Sequence, residues 1–219
     1  MTIPNPDAFI ITSTVNTSIG LIHPAQRFFQ TVETVKSIRR QAPGAVITLV
    51  DNSSQCMDSQ QQQILSNLVD EFIYIGQRRD VRWFNHHGIK GAGESYMLMV
   101  GLDGLRFRPR RVFKLSGRYQ LGQKFDITAY RPHQGKYVFK TREINQQGRC
   151  FFHTRLWSLC GDLIDDAPLM ISRSMETLFE QNITIEECIY KNIDLTKVQE
   201  FDIIHCHGYI APWNQLIVD

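Results

Sequence analysis

Val112-Phe113-Lys114-Leu115-Ser116-Gly117-Arg118-Tyr119 decides how the rest of the chain is read. An apolar-rich run with strand character ends at Leu115 and opens at once into a small residue, a glycine and a cation. In open α/β sheets ligands sit outside the carboxyl ends of the strands. Gly117 lets backbone come close to a ligand there, and Arg118 carries a planar fork suited to phosphate. A strand, a plain turn and a solvated arginine look the same over so short a stretch, so the reading turns on the order of its neighbours.

Upstream, strands alternate with helices. Ala8 to Val15 is β-branched and apolar, and Ala45 to Val50 runs into the turn Asp51-Asn52-Ser53-Ser54. Between them Phe28, Val32, Val35 and Ile38 recur at helical spacing until Pro43-Gly44 stops the run. A helix over 58–70, capped by Asp58, precedes a short strand at 72–75. A basic, glycine-rich connector over 76–93 then leads to a helix from Glu94 to about Leu105, its far end weakened by Gly101 and Gly104. This alternation predicts βαβ units in a mostly parallel sheet flanked by helices. Downstream the pattern changes to a mixed α+β half. Strands are expected at 136–140 and 150–157 around the turn-like Asn145-Gln146-Gln147-Gly148, helices at 172–181 and 184–193, and a last strand at 201–206. With no linker in sight, residues 1–219 read as a single domain that divides near residue 120.

Composition excludes several classes. A formal charge of +2 over 219 residues gives no long-range footprint for nucleic acid, and Arg106 to Arg111 reads as a solvated connector. Five scattered cysteines without a CxxC pair favour a reducing compartment, and neither a signal peptide nor a transmembrane run is evident, so a cytoplasmic protein is expected.

Thr12-Ser13-Thr14, Asp51-Asn52-Ser53, Lys90-Gly91-Ala92-Gly93-Glu94 and Ser116-Gly117-Arg118 all fall at strand ends or at a helix start. In a parallel sheet three of them share one edge and the fourth lies over it. Such an edge suits a nucleotide. A carboxylate accepts from ribose or base, hydroxyls pair with base edges, and a glycine-rich helix start with Lys90 faces phosphate. The glycine segment is neither GxGxxG nor GxxxxGK[ST], so dinucleotide and P-loop readings are not supported.

This order resembles the nucleotide-diphosphate-sugar half of the GT-A glycosyltransferases. Asp51-Asn52-Ser53 is similar to the family's turn against the nucleotide, Gly91-Ala92-Gly93-Glu94 to its glycine-rich turn, and Val112 to Leu115 to the strand before its Asp-x-Asp motif. The resemblance covers about the first 120 residues and the remainder by layout. It implies a GT-A-like α/β fold with a nucleotide-sugar-binding half (1–120) and an acceptor and catalytic half (121–219). The implied activity is transfer of a sugar, hexosyltransferase-like, from a nucleotide-diphosphate sugar to a hydroxyl acceptor in polysaccharide or glycan synthesis. The implied donor-binding residues are Thr12, Ser13, Asp51, Asn52, Lys90, Gly93, Ser116, Gly117 and Arg118.

Ser116-Gly117-Arg118 stands where the family carries Asp-x-Asp, whose carboxylates hold a divalent ion against the diphosphate. Neutralising a departing diphosphate falls instead to cations such as Lys114, Arg118 or Arg155, so no cofactor is expected to be required, with manganese or magnesium left open. Thr184-Ile185-Glu186-Glu187 is similar in position to the family's catalytic acidic pair. Thr184 and Glu187 also fit a capping box, which leaves Glu186 as the candidate base. His205 in His205-Cys206-His207 is a weak candidate for the diphosphate or a metal, against the plainer reading of a polar strand end. Trp83, Tyr119, Trp157 and Trp213 are candidates for a sugar-stacking floor, or for core. A nucleotidyltransferase would need a glycine-rich, arginine-bearing loop after the first strand, and residues 12–16 lack it. The lost Asp-x-Asp also fits a catalytically degenerate nucleotide-sugar-binding or scaffold module.

Overall fold

β1 (Ala8–Ser13) and β4 (Arg111–Ser116) are buried at every position, which a strand achieves where helices cover both faces of its sheet. The structure is a computed structural model and describes residues 5–16, 22–210 and 215–219. With β2 (Val46–Asp51), β3 (Glu71–Tyr74), β6 (Tyr137–Lys140), β9 (Leu156–Cys160) and β10 (Val198–Phe201), these strands form one sheet in the order β3-β2-β1-β4-β9-β6-β10. All run parallel except β9, which is antiparallel to β4 and β6.

Alternate side chains sort the core into two layers. Phe9, Ile11, Ile47, Leu49, Phe113 and Leu115 face α1 (Pro24–Gln41) and α2 (Ser59–Ser66). Ile10, Val50 and Val112 face α4 (Lys90–Asp103), α5 (Ala167–Gln181) and α6 (Ile185–Asn192). Asp58 caps α2 by accepting from the Gln61 N–H at 2.7 Å. Gly101 lets α4 lie directly on β1: a Cβ there would stand 2.5 Å from Ile10 Cγ2. The glycine read as a weakness of the helix is what seats it.

The chain leaves β1 to one side through β2 and β3, then α4 carries it back across β1 to β4 on the other. The strand order therefore reverses between β1 and β4, and Thr12 pairs in register with Ser116 at that point. In open α/β sheets ligands sit in the crevice that opens at such a switch point.

Several elements depart from expectation. The connector over 76–93 contains α3 (Arg79–His86), whose Val81 and Phe84 turn inward, and α4 starts at Lys90, so Gly91 and Gly93 are its first turn and not a loop. The strand expected over 150–157 splits. β8 (Cys150–Phe151) pairs with β7 (Glu143–Ile144) in a small hairpin, and the chain leaves strand geometry until β9. The last strand also breaks: β10 ends at Phe201, His205 takes a left-handed φ of 51°, and β11 (Cys206–Ile210) joins β5 (Tyr119–Leu121) and β12 (Gln215–Val218) in a separate antiparallel sheet. Arg111 of the basic run is not solvated: it starts β4, buried, and donates to Ser158 Oγ at 3.1 Å. Among the described residues no helix is long and apolar enough to cross a membrane.

Candidate functional site

At the carboxyl ends of β1 and β4 lies a cleft of two chambers. The first has a cavity volume of about 120 Å³ and is lined among others by Thr12, Ser13, Asn52, Lys90, Gly117 and Arg118. The second, about 560 Å³, is lined by Tyr119, Lys140, His153, Thr154, Arg155 and Glu186 with the end of β12. Glu94, Ser116 and Arg118 border both and form the wall between them. Apart from these shared residues, the first chamber draws on positions before 118 and the second on positions after it.

Local chemistry fixes the wall. The Gly117 N–H donates to the Thr12 carbonyl at 2.8 Å, and Thr31 Oγ1 donates to the Gly117 carbonyl at 3.1 Å, so the turn after β4 is clamped between β1 and α1. Lys114, buried on the α4 face of β4, reaches the Glu94 carboxylate, Ser116 Oγ at 2.7 Å and the Thr154 carbonyl at 2.6 Å. A buried ammonium with three acceptors is satisfied, and it occupies Glu94. Across the second chamber Glu186 accepts from Thr154 Oγ1 at 3.0 Å. Burial raises the Glu186 pKa, and the nearby Glu94 charge raises it further.

Three cations face the first chamber from three elements: Arg27 of α1, Lys90 at the start of α4 and Arg118 after β4. Burial and the Arg118 charge lower the Arg27 pKa to about 10. Burial, then Arg27 and Arg118, lower that of Lys90. Arg27 donates through Nη1 to the Thr14 carbonyl at 3.3 Å, while its Nε and Arg118 Nη1 are buried without a hydrogen-bond partner among the described residues.

Not every expected residue reaches the cleft. Asp51 is fully buried and turned into its own loop, accepting from the Val15 N–H at 3.1 Å and the Ser53 N–H at 2.9 Å. It organises the loop that presents Asn52. Gly93 lies buried in α4, where a Cβ would come 2.9 Å from Asn52 Nδ2; it makes room for Asn52 and is not itself part of the lining. His205 lines neither chamber, and its carbonyl accepts from the Gly122 N–H at 2.8 Å at the swivel between the two sheets. Arg155 lines the second chamber, its Nε 3.1 Å from Asp219 Oδ2 but not aligned as a hydrogen bond. Glu187 completes a capping box with Thr184, its Oε2 accepting from the Thr184 N–H at 2.8 Å. The aromatic residues form no common floor: Trp157 is core, stacked on Phe139, Trp83 is exposed on α3, Tyr119 lines the second chamber, and Trp213 lies outside the described residues.

No family model and no curated protein matches the chain. Solved structures do. A mannosyltransferase, Ktr4p from S. cerevisiae, aligns over 90% of this chain and 69% of its own with 9% identity and a TM-score of 0.55. The galactosyltransferase LgtC, in complex with donor and acceptor sugar analogs, aligns over 88% and 72% with 10% identity and a TM-score of 0.54. Core-mannan synthase A from Aspergillus fumigatus, in a Mn/GDP form, aligns over 90% and 73% with 8% identity and a TM-score of 0.53.

The chain has the GT-A fold.

In the GT-A fold the end of β4 is where the Asp-x-Asp carboxylates are expected, and here Ser116-Gly117-Arg118 occupies it. Among the described residues no three histidine, cysteine, aspartate or glutamate side chains gather as a ligand set. Glu94, the one carboxylate lining the first chamber among those residues, is engaged by Lys114 and faced by cations. The donor set of the first chamber does not fit a divalent ion. Sequence reasoning missed Arg27 and Glu94 as cleft residues. Glu94 lay inside a quoted segment without a role. Arg27 had a signal: with Thr31, Thr34 and Ile38 it falls on one buried stripe of α1, at the end nearest the carboxyl edge of the sheet.

Proposed function

We propose that this protein is a hexosyltransferase-like glycosyltransferase that moves a sugar from a nucleotide-diphosphate-sugar donor to a hydroxyl acceptor in polysaccharide or glycan assembly. The observation that carries this reading is convergence: Thr12 to Thr14, Asn52, Lys90, Glu94 and Ser116 to Arg118, far apart in the chain, border one cleft at the switch point between β1 and β4. In this reading the first half of the chain holds the nucleotide and the second half receives the acceptor.

Glu186 lines the acceptor chamber and not the donor chamber, which suits a general base. The acceptor O–H gives its proton to the Glu186 carboxylate as its oxygen bonds to the anomeric carbon. The bond from that carbon to the diphosphate breaks, and the nucleoside diphosphate leaves with the electron pair. Lys90 and Arg118 meet the charge on the leaving group, and no divalent ion is required. The protein acts within the cytoplasm.

Transfer assayed over a panel of nucleotide sugars, with manganese or with chelator, tests this. One donor is turned over in chelator, and Glu186→Gln lowers kcat by about 10²–10⁴-fold while donor affinity is kept. Unchanged transfer by Glu186→Gln removes the base. Donor binding without transfer to any acceptor, or hydrolysis, marks instead a binding module, the reading that the missing carboxylates at Ser116-Gly117-Arg118 also favour.

A further inference from the structure

Arg27, Lys90 and Arg118 converge on the first chamber with no carboxylate of their own. Among the described residues none of the three forms a salt bridge, and the one carboxylate beside them, Glu94, is held by the buried Lys114. Cations crowded this way repel one another, and folding tolerates the arrangement at some cost unless an anion completes it. Two atoms show where such an anion goes. Arg27 is 7% exposed, and among the described residues its Nε finds no acceptor and Arg118 Nη1, likewise buried, has no partner. Small hydroxyls, Thr12, Ser13, Thr14, Thr31 and Ser116, line the chamber beside the amides Asn52 and Asn85 and the apolar Phe84 and Met97; Thr14 and Thr31 are turned to Asn52 and to the Gly117 carbonyl, so the cations are left as the main anion-binding groups.

We propose that Arg27, Lys90 and Arg118 form a metal-free pyrophosphate clamp, with Arg27 on its floor, and that the clamp has a direction: Arg118 takes the sugar-bearing phosphate, Arg27 and Lys90 the nucleoside-bearing one. This deepens and rests on the nucleotide-sugar reading of the same cleft. The direction follows from the lining. Arg118 borders both chambers, so the phosphate it holds is the one adjoining the chamber of Glu186, whereas Arg27 and Lys90 border the first chamber alone. Three cations from three elements exceed the two charges of the donor's diphosphate and match the three that the nucleoside diphosphate carries once the sugar bond breaks. The guanidinium forks fit phosphate in two-point contact, and Lys90, exposed at the rim, adds a point charge without fixed geometry.

Calorimetric titration of the full chain in chelator with inorganic pyrophosphate, inorganic phosphate and the common nucleoside mono- and diphosphates tests the clamp. Pyrophosphate binds more tightly than phosphate, and Arg27→Met or Lys90→Met weakens it by about tenfold or more. Arg108→Met, which removes a charge paired with Asp165 away from the cleft, leaves it unchanged. Arg27→Lys, which keeps the charge and loses the fork, falls between wild type and Arg27→Met. Arg118→Met abolishes the advantage of diphosphates over monophosphates, and Arg27→Met weakens both alike. Pyrophosphate binding that needs manganese, or equal binding by wild type, Arg27→Met and the exposed-site variant Lys90→Met, overturns the clamp. Equal losses for mono- and diphosphates in Arg118→Met overturn its direction. If pyrophosphate binds as described but no nucleoside diphosphate binds better than pyrophosphate, the clamp stands and the nucleotide reading fails.

Discussion

Glu186 is held as a carboxylate at an energetic disadvantage. It is half-buried, its one side-chain donor among the described residues is Thr154, and Glu94 lies near enough to oppose its charge, with Lys114 only partly offsetting both. Its pKa is therefore raised, and in its proposed role as base it loses activity on the acid side sooner than an ordinary carboxylate does. Glu94→Gln removes the opposing charge and releases Lys114, two changes that both lower the Glu186 pKa. The acid limb of the kcat/KM profile then moves to lower pH; a limb that stays in place, or moves up, contradicts the coupling. Stability follows the same sign. Where the folded pKa exceeds the unfolded one, ionisation disfavours the folded state, so Glu186→Gln raises Tm near neutral pH and loses that gain near about pH 4, where most of the carboxyl is protonated in both states. At this scale the sequence was partly legible. Ser116-Gly117-Arg118 and Glu186 were visible because each ends or opens an element. Asp51 misled because the carboxylate that a strand end offers to a ligand also suits the loop's own N–H groups, and burial gave it to them.

Elements were legible where one periodicity ran long enough. β1, β2 and β4 lie within two residues of their expected bounds, and α1 carries all four of the apolar positions read at helical spacing, since a buried strand or an amphipathic helix leaves a pattern in the residues themselves. The strand over 150–157 was misplaced because Phe152 is core while His153, Thr154 and Arg155 turn to the second chamber, a local apolar run serving two purposes. α3 hid in a basic stretch because eight residues give one turn of signal, Val81 and Phe84. Glycine was the hardest residue to read. Gly101 looks like a helix breaker, yet α4 needs it against β1. Gly101→Val should cost about 1–3 kcal/mol through overlap with Ile10, read as a lower denaturation midpoint. Gly44→Ala, with nothing within 4 Å of the added carbon, should leave that midpoint unchanged.

For the whole molecule, the topology rather than any residue type assembles the cleft. The crossing of α4 from the edge strands to β4 brings Lys90 and Glu94 over the ends of β1 and β4, and the single reversed strand β9 returns the chain so that Thr154 and Arg155 face them. Sequence alternation announced that layout through β4. It was silent on the separate sheet of β5, β11 and β12, because its pairing joins residues nearly ninety positions apart and no local pattern encodes such a partner.

The two chambers meet at Glu94, Ser116 and Arg118 and otherwise draw on different stretches of polypeptide. Under the proposed donor and acceptor roles, one specificity can therefore vary while the other stays untouched. On the proposed function, a chimera that exchanges the segment beyond Tyr119 for that of a homologue would inherit a new recipient and keep the old nucleotide preference, with the border trio as the seam that both parents must share.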